Sequence, residues 1–371
     1  MAQPLSATVE QVAAFRLDRH HLVAGRRAPI ETVCGDVCGI QAQVMSAAEL
    51  ALWTRIRDVS RSQIRDALWE RRTLVKTSLM RQTLHLVPAE EFTLYVTALR
   101  RSRTAMLHRL FARLRVSPAE VTQLTGLVAD ILGAGPLAQQ ELVERIRPKV
   151  SKRVKLWLKY AWSASRPAIV QGLICYGPPR GSEVTFVRTD QWLPPQPNPT
   201  EETAKRAVLR RFLAAYGPAT VRDFSKWSGI GAGEAKQVWD GAAAELQTVT
   251  VEGATLSLLK TDVNALAGSR LDDRSVRLLP SFDPLLLAHA AKDHLVETRF
   301  YKRVYRNQGW LSPVVLAGGK VVAVWFPRTN GKSVDIEIQP FARLSSATRA
   351  AIVQEAEALG RFLDAPSRAK M

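Results

Sequence analysis

Two glutamines one residue apart, Gln41 and Gln43, stand in the run Cys38-Gly39-Ile40-Gln41-Ala42-Gln43-Val44-Met45, whose other members are apolar or small. A carboxamide offers donors and an acceptor without a charge, so it can orient a water while binding no ion tightly. Buried without partners it costs about 1 to 3 kcal/mol. The run therefore either feeds a local hydrogen-bond network or lines a polar cavity that the fold keeps open, and we read it as the cavity. On a strand the two amides face the same way; on a helix they diverge by roughly 200°. Shared work on one water requires the extended form or the very start of a helix.

The elements that must position these amides belong to a large, basic protein. At 371 residues, 46% of them hydrophobic, the chain holds two to four domains with real cores and is not a disordered basic tail. Lys and Arg number 52 against 34 Asp and Glu, a net charge of +18 and a pI near 10.3, which points to nucleic acid as the first partner. No apolar run approaches the roughly 18 residues of a membrane span, and no basic segment leads into an apolar signal core, so a cytosolic protein is expected. Cys34, Cys38 and Cys175 are an odd number with no zinc-ligand spacing, and read as buried reduced thiols with no metal or cofactor to hold. Gly229-Ile230-Gly231-Ala232-Gly233 follows no strand and carries little weight as a nucleotide loop.

Hydropathy patterning gives an α+β chain. Helical periodicity over Ser6 to Val23, with Ser6 as cap, over Ala47 to Arg57 and from the Ser60–Ser62 cap to Arg71 gives way to period two in Leu74 to Met80 and Thr83 to Val87, joined at Arg81-Gln82. Helices followed by a short hairpin spell a winged-helix unit. Gly135-Pro136 and Gly217-Pro218 each end one helix and start another, and each is followed downstream by a further helix and a hairpin, so the unit repeats twice more. The divisions expected are 1–116, 117–197 and 198–275, with the Leu193–Pro199 stretch as a stiff linker. A β-rich portion, 276–371, follows, with strands at Val276–Leu279, Val314–Ala317, Val321–Pro327 and Val334–Gln339 and a closing helix over Ser345 to Leu363. Three winged helices and this portion are expected to form a C-shaped body around DNA.

Charge patterning marks the DNA contacts. Between Arg100 and Arg115 six arginines, including Arg100, Arg101 and Arg103, occur without an acid, as a phosphate-contacting helix face requires. Lys302-Arg303-Val304-Tyr305-Arg306-Asn307 interleaves cations with an aromatic ring and an amide, the mix used for phosphates and bases. Arg71 at a helix end, and Arg81 and His85 in the first hairpin, complete the expected set together with Arg328. The Pro313 to Trp325 hairpin, turning at Gly318-Gly319 and extended by Arg328 and Asn330, is the expected probe of a groove.

Gly39-Ile40-Gln41-Ala42-Gln43, Arg81-Gln82-Thr83-Leu84-His85-Leu86-Val87, Leu279-Pro280-Ser281-Phe282-Asp283-Pro284-Leu285-Leu286-Leu287 and the Pro313–Trp325 hairpin, in this order over nearly the whole chain, resemble the AlkZ-type DNA glycosylases of the YcaQ/AlkZ-like family. The resemblance implies that Gln41 and Gln43 are catalytic. Gln43, where the YcaQ-like branch carries Asp, places the chain with the azinomycin-specific branch. It implies a monomeric, monofunctional glycosylase that frees N7-alkylated purines, bulky and cross-linking adducts included, from double-stranded DNA. An N7-alkylguanine is already cationic and leaves without a general acid, so the work left is to place a water and to stabilise an oxocarbenium-like sugar, for which carboxamide oxygens suffice. No motif for a Schiff-base lysine is present. The competing reading is a non-enzymatic winged-helix regulator of duplex DNA, against which three different units in one chain and a polar pocket both speak.

Overall fold

A computed structural model describes residues 5–23, 28–159, 164–272, 275–330 and 332–371, without the side chains of Thr329 and Asn330. Gly331, between the expected strands Val321–Pro327 and Val334–Gln339, thus lies outside the described residues.

Helices and hairpins alternate through the first two thirds of an α+β molecule, and the last third is dominated by one sheet. In the first unit, helix Ile30–Asp36 leads into the two-residue strand Ile40–Gln41; helices Met45–Trp53 and Arg61–Trp69 and the strands Leu74–Ser78 and Leu84–Pro88 follow. The short strand pairs antiparallel with Leu84–Pro88, which also pairs with Leu74–Ser78. The same order recurs twice. In the second copy Leu137–Ala138 pairs with Glu183–Arg188, the return strand of the hairpin begun by Ile174–Arg180. In the third a bridge from Ala219 to Ser257 takes the place of the short strand, beside the hairpin Leu246–Val251 and Ala254–Leu259.

Local signals explain the helix starts. Ser60 with Gln63, Ser117 with Glu120 and Thr220 with Asp223 form capping boxes, each satisfying orphan amide donors at a helix N-terminus. The first helix departs from expectation: it runs Val9–Arg19, and Thr8 with Gln11, not Ser6, caps it. Ser6 instead lies in a strand, Leu5–Ser6, that pairs parallel with Leu246–Val251. Val12 and Phe15 of the helix pack with Val249, Val251, Leu258 and Leu266, so the N-terminal stretch is built into the third copy and not the first. The helix expected over Ala47 to Arg57 ends at Trp53.

The closing sheet has the order Val276–Leu279, Val314–Ala317, Lys320–Asn330, Ser333–Pro340, Ser367–Lys370, the last pair parallel. Helix Ser346–Phe362, capped by Ser345, buries Ile352, Ala356, Leu359 and Phe362 as its period requires. These side chains, with Leu278, Trp325 and Ile336, share one core with Val33, Leu52, Ile64, Leu68 and Leu86 of the first unit. Within this assembly Arg55 and Asp283, both fully buried, form a two-pronged ion pair, Nη1 to Oδ2 and Nη2 to Oδ1, each at 2.8 Å. Asp283 Oδ1 also accepts the Leu285 amide at 3.0 Å, capping the short helix Pro284–Leu287.

Removing one member of a buried pair leaves the other as an uncompensated charge. Asp283→Ala is accordingly expected to lower unfolding stability by about 3 to 5 kcal/mol in a denaturant titration, and the double change Arg55→Met with Asp283→Leu to recover part of that loss.

Candidate active site

The path of the chain into Gln41 is set by two left-handed residues. Cys38 (φ 58°) and Gly39 (φ 91°) turn the backbone out of helix Ile30–Asp36, and the Gly39 amide donates to the Cys34 carbonyl at 2.7 Å. A Cβ on Gly39 would lie 2.9 Å from Val87 Cγ1 and 3.2 Å from the Leu86 carbonyl oxygen, so only glycine lets this strand close on its neighbour. Beyond Gly39 the chain is extended. Ile40 and Ala42 turn into the core shared with the closing sheet, and alternation sends the two glutamine side chains to the opposite face. Helix Met45–Trp53 starts only after Val44. Gln41 is buried and Gln43 is exposed, its Oε1 3.5 Å from the Leu84 amide.

Gln41 faces His85 across the sheet. The Ala42 amide donates to the Leu84 carbonyl at 2.7 Å, which puts the Gln41 and His85 pair at the non-hydrogen-bonded position, where facing side chains approach most closely. Its Oε1 accepts from Arg81 Nη2 at 3.2 Å, while Arg81 Nη1 donates to the Trp227 carbonyl at 2.8 Å. Because a guanidinium has no acceptor, the atom turned to it must be the carboxamide oxygen. Arg81 thus fixes which end of the Gln41 carboxamide is the oxygen, and the amide nitrogen donates to no partner among the described residues. Burial lowers the Arg81 pKa to about 10, so it remains a cation at neutral pH, and its hydrogen bonds go to neutral oxygens. Arg81 (φ 51°) and Gln82 (φ 61°) are successive left-handed residues without a glycine, at a cost of about 1 to 3 kcal/mol each. Gly229 admits this turn, since a Cβ there would lie 3.3 Å from the Arg81 amide nitrogen.

His85 Nδ1 lies 3.0 Å from the Thr83 carbonyl oxygen. Burial, reinforced by the nearby Arg81 cation, brings the His85 pKa down to about 3. The ring is neutral and Nδ1 carries its hydrogen. Gly39, Gln41, Arg81, His85, Tyr216, Trp227, Pro284 and Leu287 line a cleft of about 10 Å³, about the room one water needs. Its far walls come from the third repeat and from the helix that Asp283 caps.

The remaining residues expected to meet DNA are dispersed. Arg100 and Arg101 are exposed on helix Phe92–Arg113, but Arg103 is buried and donates to Ser78 Oγ at 3.1 Å. It stands four residues from both Leu99 and Leu107, which are buried on the same helix face, so it serves packing and not the surface. Lys302, Arg306 and Asn307 are exposed, whereas Arg303 donates to the Gln339 and Pro340 carbonyls and stacks over Phe341. Arg71 is exposed and paired with Asp66 and Glu31. Arg328 is exposed and paired with Glu337. The Gly318-Gly319 turn is not free to probe a groove: Gly319 packs on Ala13 and Leu271, and Lys320 Nζ donates to the His294 carbonyl. A further basic run, Arg145, Arg147, Lys149, Lys152 and Arg153, is exposed on the second repeat, and a charge count along the chain would have found it. The three cysteines are free and buried.

A family model described as DNA glycosylase AlkZ-like matches residues 35–362. The chain belongs to the AlkZ-like DNA glycosylases. It is 32% identical to the interstrand DNA cross-link repair glycosylase of Streptomyces sahachiroi, over 93% of this chain and 98% of that protein. It is also similar to the solved structure of Streptomyces sahachiroi DNA glycosylase AlkZ, with a TM-score of 0.86 and 28% identity over 99% of this chain and all of the other. This AlkZ-like enzyme is thus a hydrolase of N-glycosyl bonds with DNA as its substrate, and the regulator reading falls away. Among the described residues no helix is long and apolar enough to cross a membrane.

Since Arg81 fixes the Gln41 side chain, Arg81→Met is expected to slow base release by one to two orders of magnitude in a single-turnover assay, with duplex affinity changed less than threefold.

Proposed function

We propose that this AlkZ-like glycosylase hydrolyses the N-glycosidic bond of N7-alkylated purines in duplex DNA, bulky adducts and azinomycin-type interstrand cross-links included, with Gln41 and Gln43 as its catalytic residues. The observation that carries the reading is the cleft: it has room for about one water and none for a base. Enzymes that turn a base out of the duplex need a pocket to receive it, and a cross-link would drag the partner strand along. A site that presents only a positioned water to the sugar leaves the adduct in the helix and is indifferent to its bulk. Neutral amides suit the chemistry, because a cationic purine departs without a general acid and a carboxylate would hold the charged ground state too well. Buried Gln41 orients the water. Exposed Gln43, two residues along on the same side, offers its carboxamide to the developing oxocarbenium centre. The name of the Streptomyces relative, an interstrand cross-link repair glycosylase, supports the cross-link substrate.

In this reading the three repeats are winged helices within the divisions 1–116, 117–197 and 198–275, the strand Leu5–Ser6 and helix Val9–Arg19 of the first division being docked on the third repeat, and with 276–371 they form a C-shaped seat for the duplex. Phosphates meet Arg100, Arg101, Lys302 and Arg306. Arg328, on the longer hairpin Lys320–Asn330 and Ser333–Pro340, takes the groove-probing place for which the packed Gly318-Gly319 turn is unsuited. One chain supplies every wall of the cleft, which favours a monomer.

Incubation with duplex carrying N7-methylguanine or an azinomycin cross-link, followed by alkaline cleavage at abasic sites, is expected to show base release by the wild type. Gln41→Ala and Gln43→Ala are each expected to reduce it by about 10²-fold or more with melting temperature and duplex affinity nearly unchanged; loss of stability with activity following the folded fraction would make both amides mere core groups. Affinity for undamaged duplex should fall steeply with salt, and neutralising Arg100, Arg101, Lys302 or Arg306 should lower the log–log slope by about 0.9 each. Binding indifferent to salt would remove that surface.

A further inference from the structure

The cleft holds a second group able to handle water, and it belongs to the residue directly opposite Gln41. With its Nδ1 hydrogen given to the Thr83 carbonyl at 3.0 Å, His85 is fixed in the tautomer whose Nε2 carries a lone pair and no hydrogen. Among the described residues no partner takes that lone pair. The Gln41 side chain is fixed in the complementary sense, its oxygen held by Arg81 at 3.2 Å and its NH₂ left over. Directly paired residues of an antiparallel sheet have Cβ atoms about 5 Å apart, and both side chains line a space of about 10 Å³. A donor and an acceptor across a gap of one water are thus set by two independent backbone and guanidinium contacts.

Resting on the glycosylase reading above, we propose that His85 is a catalytic residue: its Nε2 accepts one O–H of the attacking water while Gln41 Nε2 donates to that water's oxygen. One oxygen lone pair then remains, aimed at the anomeric carbon. In the step this arrangement serves, the bond from the anomeric carbon to the purine nitrogen breaks with its electron pair going to the base, which neutralises the alkylated purine. The water oxygen bonds to the anomeric carbon, and the proton it must shed leaves toward Nε2 and on to solvent. The protonated sugar hydroxyl is a far stronger acid than any imidazolium, so a weak base suffices. A neutral ring has a further merit beside Arg81, because a second cation there would oppose the positive charge growing on the sugar.

Two measurements test this. In single-turnover release of N7-methylguanine from duplex DNA, with melting temperatures recorded, His85→Ala is expected to lose about 10²-fold or more, and His85→Gln, whose Oε1 reaches the place of Nε2, to recover to within about tenfold of wild type. The wild-type rate should be flat from pH 5.5 to 8, since a ring with a pKa of about 3 does not titrate there; an inflection in that window that persists in His85→Gln would assign the proton to another group and overturn the role of His85. A wild type that releases the base and depends on Gln41, but is matched within threefold by His85→Ala, would overturn the role of His85 alone. A wild type that releases no base from this substrate would overturn the substrate reading and the inference with it.

Discussion

The Arg55–Asp283 pair governs how the molecule closes. A guanidinium and a carboxylate stripped of water cost several kcal/mol each unless they meet in good geometry, and here they meet through two parallel bonds of 2.8 Å. That requirement fixes the first repeat against the segment ahead of Pro284–Leu287 with an accuracy that apolar contacts alone do not impose. Asp283 then spends a remaining lone pair on the Leu285 amide, which orients the short helix carrying Pro284 and Leu287 over the cleft. A buried ion pair that does not itself line the cleft thus sets the position of one of its walls.

The second constraint is electrostatic. Arg81 is a desolvated cation whose hydrogen bonds go to neutral oxygens, and the backbone beneath it is held in two consecutive left-handed conformations. Strain of this kind persists where the surroundings over-determine it; here Gly229 makes the room and the Trp227 carbonyl makes the bond. Glutamate at position 41 would collapse onto Arg81 as an ion pair and present nothing to a water. An amide accepts from the guanidinium and still keeps its nitrogen, which gives a physical reason for glutamine beside Arg81.

Much of the fold was legible. Capping boxes at Ser60, Ser117 and Thr220 and the alternation of apolar residues in each hairpin are local signals, and the repeat of helix, Gly-Pro, helix and hairpin was visible as order along the chain. What escaped was non-local or too short to carry a period. Leu5–Ser6 and Ser367–Lys370 pair in parallel with strands far away or across a helix, and nothing in their composition announces it. The amides were visible as polar residues in an apolar run, yet the direction in which Gln41 points was not, because Arg81 was read as a surface cation. Tyr216 and Trp227 carried no mark at all, being ordinary aromatic core residues until the tertiary fold brings them beside Gly39. Arg103 was a failure of arithmetic and not of principle, since its spacing from Leu99 and Leu107 already assigned it to the buried face.

The cleft also has a place in the life of the chain. Its walls run from Gly39 to Leu287, the first helix docks on strands near Val249, and the core around Gln41 borrows Trp325 and Ile352. A chain emerging from the ribosome therefore exposes its amide motif early but cannot enclose it until almost the whole sequence has been made. Contacts of such long sequence separation form late and slowly. A product truncated before the closing sheet therefore lacks the core on which the Gln41 strand rests while still bearing much of the positive charge.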